Sequence, residues 1–207
     1  MKYCLVIFDF DGTLADSGLW FTRVINELAH EFRFKRLEQP DYERVRRYDA
    51  RGVLKHLGIP MWKAPRVLIR LRQHAARDAA QIPVFPGVEA MFERLMAAGR
   101  TVAISSSNSE ETVRKVLGGS IAARVPHFKC GASLFGKAAK LKQLLVETQT
   151  ARDQAIYVGD EIRDVEAARQ AGVAFGGVRW GYTEPEALRA AAPDYFFQTI
   201  DEIELLP

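Results

Sequence analysis

Short apolar runs of strand length alternate with helical patterns along most of this 207-residue chain. A buried strand is predicted at 2–8, where most residues are aliphatic, β-branched or aromatic. Further strands are predicted at 101–105, 155–158 and 173–175, and an edge strand at 195–197. Because helical segments separate these strands, the pattern predicts an α/β fold with a parallel sheet and helices on both of its faces.

One long segment interrupts this alternation. Throughout 17–82 the apolar residues follow helical spacing, and no strand pattern appears. Ser17 is the predicted N-cap of the first helix, and Pro83 marks the return to the alternating pattern. We therefore expect an α/β core formed by 1–16 and 83–207, with an all-helical domain at 17–82 inserted into it.

The net charge of +3 conceals an uneven distribution. Segment 17–86 has 14 Lys and Arg against 7 Asp and Glu, a charge of +7, whereas the rest of the chain has 15 against 19, a charge of −4. One interpretation is a basic helical domain that binds DNA, and the other is a solvated helical surface. DNA binding would require one exposed surface that carries Arg44, Arg46, Arg47 and Arg51. We expect no nucleic-acid partner and consider an anionic metabolite the better match for the basic segment.

Membrane and secreted proteins have sequence features that this chain lacks. No apolar run approaches the ~18 residues that span a bilayer. The first residues do not show the charged region, apolar region and cleavage site of a secretory signal. Two cysteines, Cys4 and Cys130, are too few for a disulfide framework. We therefore expect a cytoplasmic protein with no membrane partner.

Two carboxylates follow the first predicted strand directly. Asp9 and Asp11 are two residues apart, and Gly12 after them permits a tight turn. Ligands of parallel sheets bind beyond the carboxyl ends of the strands, so this position is a candidate site. Close like charges disfavour double ionisation, so the pair requires either a cation or a division of labour between the two acids. A turn at the end of a strand would explain one aspartate but not both.

A second acidic group follows the strand predicted at 155–158. Asp160 comes directly after this strand and Gly159, and Asp164 lies one helical turn further on. Helix capping is an alternative explanation for Asp164 and for Glu161. Together with the first pair, these acids form an oxygen-rich set that suits a hard cation such as Mg²⁺.

Polar residues also follow the strand at 101–105. Ser106, Ser107 and Asn108 join this strand to a helix, where hydroxyl and free N–H groups can bind an anion. Asn108 is the predicted N-cap of that helix, with Glu111 as its capping-box partner. Lys137 begins a later helix and could supply a positive charge to a phosphate.

The strings DFDGTL at 9–14 and GDEIRD at 159–164, with the Ser and Lys pieces between them, resemble the haloacid dehalogenase-like hydrolase superfamily. Within it the chain is similar to the phosphoglycolate-phosphatase-like branch with a helical cap. The resemblance covers essentially the whole chain. It implies a Rossmann-like, three-layer core, a mobile cap inserted after the first motif, Mg²⁺, and an aspartyl-phosphate intermediate.

The resemblance also implies roles for individual residues. Asp9 would be the nucleophile and a metal ligand. Asp11 would protonate the leaving alcohol and then activate the water, and its backbone carbonyl would reach the metal. Asp160 and Asp164 would complete the metal ligands. The residues implied to contact the phosphoryl group or substrate are Ser106, Lys137, Gly12, Thr13, Ser107 and Asn108.

Two of these assignments have rivals. The run of serines leaves Ser106 ambiguous with its neighbours, and Lys140 is an alternative to Lys137 because the usual proline after the lysine is missing.

The predicted function is hydrolysis of a small phosphorylated metabolite, such as a phosphoglycolate-like compound or a sugar phosphate, by a magnesium-dependent phosphatase. A phosphomutase of the same family would keep the same core residues and is the first alternative. A non-catalytic phosphoryl-binding protein on the same fold is the second. We expect a monomer or a homodimer.

Overall fold

Six parallel strands form a single sheet in the order β3-β2-β1-β4-β5-β6. The computed structural model describes residues 1–131 and 136–207. The central strand β1 pairs with β2 on one side and with β4 on the other. The strands are β1 (Leu5–Phe8), β2 (Thr101–Ser105), β3 (His127–Lys129), β4 (Ala155–Gly159), β5 (Ala174–Val178) and β6 (Tyr195–Phe197). The predicted parallel α/β fold is confirmed, with Tyr195–Phe197 at one edge of the sheet.

Helices account for most of the remaining chain. Those of the inserted segment are α1 (Gly18–Phe32), α2 (Tyr42–Val45), α3 (Ala50–His56) and α4 (Ala64–Asp78). Those that follow are α5 (Val88–Ala97), α6 (Glu110–Leu117), α7 (Gly119–Arg124), α8 (Lys137–Glu147), α9 (Ile162–Ala171) and α10 (Pro185–Ala190). Short 3₁₀ turns lie at Gln39–Asp41, Ala79–Gln81, Arg152–Gln154 and Ile200–Leu205.

The side chains of β1 alternate between two apolar clusters, one on each face of the sheet. Val6 and Phe8 belong to the cluster that α5, α6 and α7 cover. Leu5 and Ile7 belong to the cluster that α8, α9 and α10 cover. All four β1 residues are fully buried, which explains why this strand is continuously apolar rather than alternating. The result is the three-layer arrangement that the sequence predicts.

The inserted helices pack around an apolar cluster of their own. Its buried members are Val24, Ile25, Leu28, Leu37, Val45, Leu57, Ile59 and Val67. All of 17–82 is described, and no strand lies in it. The chain enters and leaves through two paired segments, where the Asp16 N–H donates to the Pro83 carbonyl and the Phe85 N–H to the Leu14 carbonyl, each at 2.9 Å. This arrangement supports the division into two domains at these positions, which stays a prediction.

Four strands differ from the sequence prediction, β4 only in that it ends one residue later, at Gly159. β1 begins at Leu5, three residues later than predicted. β5 continues through Gly176 and Gly177 to Val178, although glycine disfavours strands. A Cβ at Gly176 would lie 2.5 Å from the Phe197 ring, so close packing of β5 against β6 explains the glycine. β3 was not predicted, because three residues carry too little pattern.

Ser17 occupies the N-cap position of α1 as predicted, whereas the prediction that Asn108 caps α6 is wrong. The Ser17 side chain makes no capping hydrogen bond, because its backbone (φ −91°, ψ 6°) lies outside the extended region that an N-cap requires. Asn108 does not cap α6, because the helix begins one residue later and Ser109 accepts the capping bond from the Thr112 N–H at 3.2 Å. Glu111 is therefore not a capping-box partner. The side chains of Ser17 and Asn108 instead donate hydrogen bonds to Asp11, in the site described below.

Among the described residues, no helix combines the length and the apolar character needed to cross a bilayer.

Leu28→Ala tests whether the inserted helices depend on their own apolar cluster. Leu28 is fully buried, so its truncation should lower the free energy of unfolding by about 2–5 kcal/mol, as measured by urea denaturation. Leu19→Ala is the matched control, because Leu19 lies on the same helix and is 87% exposed. Its effect should stay within about 0.5 kcal/mol. Equal losses in the two variants would contradict the packing described here.

Candidate active site

The carboxyl ends of β1, β2 and β4 place polar side chains along one edge of the sheet. Asp9 follows β1, Ser106 follows β2, and Asp160 follows β4. β1 lies between the other two strands, so these residues come from neighbouring loops. The loop after β5 lies at the same edge. The structure therefore brings these predicted site residues to the sheet edge where the sequence predicts a site.

Three carboxylates form a buried cluster at this edge. One oxygen from each of Asp9, Asp160 and Asp164 lies within 4.8 Å of the others. Asp160 is fixed by two donors at 2.8 Å, the Thr13 hydroxyl to Oδ1 and the Tyr182 N–H to Oδ2. Asp9 is 5% exposed and the other two acids are fully buried. The cluster comprises three of the four residues that were predicted to bind a metal.

Lys137 lies between two of these acids. Its Nζ donates to Asp9 Oδ2 at 2.7 Å and also to Asp164 Oδ1. Asp164 accepts further bonds from the Tyr157 hydroxyl at 3.2 Å and from the Glu161 N–H at 3.1 Å. The ammonium group at the start of α8 is therefore held by one acid that follows β1 and one acid in α9.

Burial controls the protonation of this cluster. Removal from water raises the pKa of Asp9 to about 7, although the charge of Lys137 opposes the shift. Burial, with the negative charges of Glu161 and Asp9, raises the pKa of Asp160 well above its usual range. Burial alone would lower the pKa of Lys137, but the charges of Asp164 and Asp9 outweigh it and hold that pKa above its usual value.

The donor set fits a hard divalent cation. Lys137 pairs with Asp9 and Asp164 of the three buried carboxylates but not with Asp160, which leaves negative charge that burial makes costly. Arg163, a second cation near the cluster, forms an ion pair with Glu161. Oxygen ligands at this spacing suit Mg²⁺.

Asp11 lies in a different environment from Asp9. Its Oδ1 accepts a hydrogen bond from the Ser17 hydroxyl at 3.0 Å, and its Oδ2 accepts one from Asn108 Nδ2 at 2.8 Å. Both donors are neutral, and burial raises the pKa of Asp11. The carboxylate of Asp11 does not belong to the three-acid cluster found among the described residues. Contact between its backbone carbonyl and a metal stays a prediction.

The serine loop after β2 lies beside these acids. Ser106 is buried, and its hydroxyl accepts the Asn108 N–H at 3.1 Å. Ser107 is half-buried. Lys140 donates to the carbonyl oxygens of Ser106 at 2.6 Å and Gly131 at 2.7 Å, whereas Lys137 contacts the acids. The geometry favours Lys137 over Lys140 as the lysine that acts on Asp9.

Close packing around Asp160 explains two glycines. A Cβ at Gly12 would lie 2.4 Å from Asp160 Oδ2, and Gly12 also has φ +77°. A Cβ at Gly181 would lie 2.0 Å from the Asp160 Cβ. Gly12 therefore allows the close approach to Asp160 in the three-acid cluster, and substrate contact by Gly12 or Thr13 stays a prediction.

Sequence reasoning missed the loop after β5. Tyr182 binds Asp160 through its N–H, and the Trp180 indole N–H donates to the Thr13 carbonyl at 3.0 Å. The predicted strand β5 could have indicated this loop, because the loop that follows each strand of a parallel sheet lies at the same edge. The predicted end of β5 at residue 175, three residues too early, concealed the loop.

The inserted helices contact this same loop. Arg46 donates to the carbonyl oxygens of Tyr182 at 3.1 Å and Gly181 at 3.3 Å. Arg47 donates to Glu184 Oε1 at 3.0 Å. Arg46 and Arg47 are two of the four arginines that a DNA-binding surface would require, and both are bonded to the loop after β5 instead. Part of the positive charge of the basic segment therefore lies beside the candidate site.

Comparisons with known proteins agree with this geometry. A model of the haloacid dehalogenase-like hydrolase family matches residues 6–178. The phosphoglycolate phosphatase of Synechococcus elongatus is 31% identical over 199 residues, which cover 96% of this chain and 94% of that protein. The 5′-nucleotidase of Pseudomonas aeruginosa is 26% identical over 209 residues, covering 95% and 91%.

A solved structure supports the fold alone. The crystal structure of CbbY from Rhodobacter sphaeroides in complex with phosphate matches with a TM-score of 0.75 at 18% identity, covering 98% of this chain and 96% of that one. The family model spans most of the chain, and the relative from Synechococcus elongatus passes 30% identity over nearly its whole length. The chain therefore belongs to the haloacid dehalogenase-like hydrolases, the enzyme family that its motifs resemble.

Proposed function

We propose that this enzyme is a magnesium-dependent phosphatase that hydrolyses a small phosphorylated metabolite through an aspartyl-phosphate intermediate. The observation that carries the proposal is the contrast between Asp9 and Asp11. The Asp9 carboxylate is bonded to the Lys137 ammonium and clustered with two further acids, whereas the donors to Asp11 among the described residues are neutral. Acids in contrasting environments can divide the nucleophile and acid–base roles between them.

Asp9 is the nucleophile in this proposal. Its carboxylate oxygen forms a bond to phosphorus while the bond from phosphorus to the ester oxygen breaks. Lys137 holds the Asp9 carboxylate by a 2.7 Å hydrogen bond and offsets negative charge as the phosphoryl group arrives. Ser106 and Asn108, at the start of the loop after β2, are proposed to bind the phosphoryl oxygens.

Asp11 handles the proton in both half-reactions. Its carboxyl group first donates a proton to the leaving ester oxygen, which departs as an alcohol. In the second half-reaction Asp11 takes a proton from water as the water oxygen attacks phosphorus. The bond between phosphorus and Asp9 then breaks, so that phosphate is released and both acids return to their starting states.

Asp9, Asp160 and Asp164 would hold Mg²⁺. When bound, the ion would neutralise charge on the carboxylates and on the phosphoryl oxygens. Hydrogen bonds orient two of these ligands, because both oxygens of Asp160 and both oxygens of Asp164 accept donors from the protein.

The substrate class is inferred from the inserted helices. Their segment carries a charge of +7 and contacts the loop beside Asp160, so it would cover an anionic ligand at the site. Covering by a cap also excludes water. The phosphatase relative from Synechococcus elongatus favours phosphoglycolate or a similar small phosphate ester. We also propose that the protein is cytoplasmic and is a monomer or a homodimer.

Asp9→Asn should abolish phosphate release. Replacement of the nucleophile should lower kcat for 4-nitrophenyl phosphate with Mg²⁺ by roughly 10⁴-fold or more. Asp153→Asn is the matched control, because Asp153 is exposed and precedes β4 at the opposite edge of the sheet. The control should keep the wild-type rate. Wild-type turnover by Asp9→Asn would reject Asp9 as the nucleophile.

Asp11→Asn should slow turnover and trap the intermediate. Loss of one acid–base group should lower kcat by about 10²- to 10⁴-fold. With acetyl phosphate, whose leaving group needs little proton assistance, the first half-reaction should still proceed and the phospho-enzyme should accumulate. Intact-protein mass spectrometry would detect one added phosphoryl group. Normal turnover by this variant would show that Asp11 has another role.

Mg²⁺ should stabilise the fold more at pH 8 than at pH 5. Burial raises the pKa of Asp9 from 3.8 to about 7, so ionisation of Asp9 opposes folding increasingly as the pH rises through this range. A bound cation offsets that cost, whereas at pH 5 it must displace protons. Thermal unfolding should therefore show a larger rise in Tm with MgCl₂ at pH 8, compared with KCl at equal ionic strength.

Asp160→Asn is the control for this shift, because it removes one ligand without changing the shape of the side chain. The Mg²⁺-dependent rise in Tm should largely disappear in this variant. An unchanged rise would place the cation elsewhere.

A further inference from the structure

Two hydroxyl groups lie behind Asp11, on the side of the inserted helices. We infer that Ser17 and Tyr182 form a positioning pair that holds the Asp11 carboxylate in the orientation needed for proton transfer to the leaving group. This inference rests on the proposed function. Neither residue is proposed to touch the reacting atoms, so both act through Asp11.

Ser17 forms the direct link. Its hydroxyl donates to Asp11 Oδ1 at 3.0 Å, while Asn108 donates to Oδ2 at 2.8 Å. Two donors on opposite oxygens fix the plane of the carboxylate, whereas one donor alone would leave it free to rotate. Ser17 is fully buried, so its hydroxyl bonds to protein groups rather than to bulk water.

Ser17 does not make the hydrogen bond that is usual for a serine at its position. A serine that precedes a helix usually accepts a hydrogen bond from the N–H groups of the first turn. Ser17 precedes α1 but makes no such bond. Its hydroxyl is instead shared between Asp11 and the Tyr182 hydroxyl, which lies 2.5 Å away.

Tyr182 connects this pair to the rest of the site. Its N–H donates to Asp160 Oδ2 at 2.8 Å, and its carbonyl accepts the Arg46 Nε–H at 3.1 Å. Its ring packs against Phe21 of α1, with the ring centres 6.1 Å apart. Tyr182 therefore contacts Asp160 of the three-acid cluster, the inserted helices, and the Ser17 hydroxyl that bonds to Asp11. The orientation of Asp11 then depends on the inserted helices being seated on the loop after β5.

This arrangement predicts which substrates need the pair. Cleavage of an ester with a basic leaving group requires the proton of Asp11 in the transition state, whereas an ester with a strongly acidic leaving group does not. Misorientation of Asp11 should therefore slow the first kind of ester selectively. General damage to the site would slow both kinds.

The test compares phenyl phosphate with 2,4-dinitrophenyl phosphate, two aryl esters that differ chiefly in the acidity of the leaving phenol. The measured quantity is kcat/KM with Mg²⁺, which reports the first half-reaction. Ser17→Ala should lower kcat/KM for phenyl phosphate by about 10- to 100-fold, and for the dinitrophenyl ester by less than about 3-fold. Tyr182→Phe, which removes only one hydroxyl, should shift the ratio in the same direction by a smaller factor.

A double-mutant comparison separates positioning from a structural role. In an Asp11→Asn background, Ser17→Ala should have no further effect on phenyl phosphate, because the group it positions is gone. Ser120→Ala, at an exposed serine on α7, is the control and should match the wild type with both esters. If Ser17→Ala does not fold, the Tyr182→Phe ratio decides.

Equal losses on the two esters would overturn the inference, as would an undiminished Ser17→Ala effect in the Asp11→Asn background. Failure of the wild type to release phosphate from either ester would instead reject the phosphatase proposal, and the positioning pair with it.

Discussion

The contact between Lys137 and the buried acids Asp9 and Asp164 is the interaction on which the site depends. Carboxylates removed from water repel one another and tend to take up protons. A single ammonium group balances part of their charge, at 2.7 Å from Asp9. The remaining negative charge suits a divalent cation, and we propose that the cluster binds one together with a phosphoryl group. Burial of these carboxylates opposes folding, and the same burial raises the pKa of Asp9 and of Asp160.

The fold brings the buried acids together at one edge of the sheet. β1 lies between β2 and β4, so three loops meet at one edge of the sheet. Apolar clusters on both faces hold β1 rigidly, with all four of its residues fully buried. Gly12 and Gly181 allow the backbone to approach Asp160 more closely than any side chain would permit. The inserted helices then contact the loop after β5 and connect the outer part of the molecule to the acids.

Sequence reasoning found the parts of this design that are local. Asp9 and Asp11 stand directly after an apolar strand, and Asp160 after another, so the rule for parallel sheets located them without knowledge of the structure. The roles of Ser17, Asn108 and Tyr182 could not be predicted in this way, because they depend on contacts between residues far apart in the chain. Ser17 and Asn108 each precede a helix, and local capping preferences suggested a role that the tertiary contacts override.

We propose that the Asp9 carboxylate accepts the phosphoryl group beside a bound Mg²⁺. A crystal structure of the protein with Mg²⁺ and beryllium fluoride, which mimics a phosphoryl group on a carboxylate, would test this proposal. We expect beryllium bonded to an Asp9 oxygen, Mg²⁺ among Asp9, Asp160 and Asp164, and Lys137 in contact with the fluoride. Beryllium fluoride bound to another residue, or Mg²⁺ outside the three acids, would contradict the proposal.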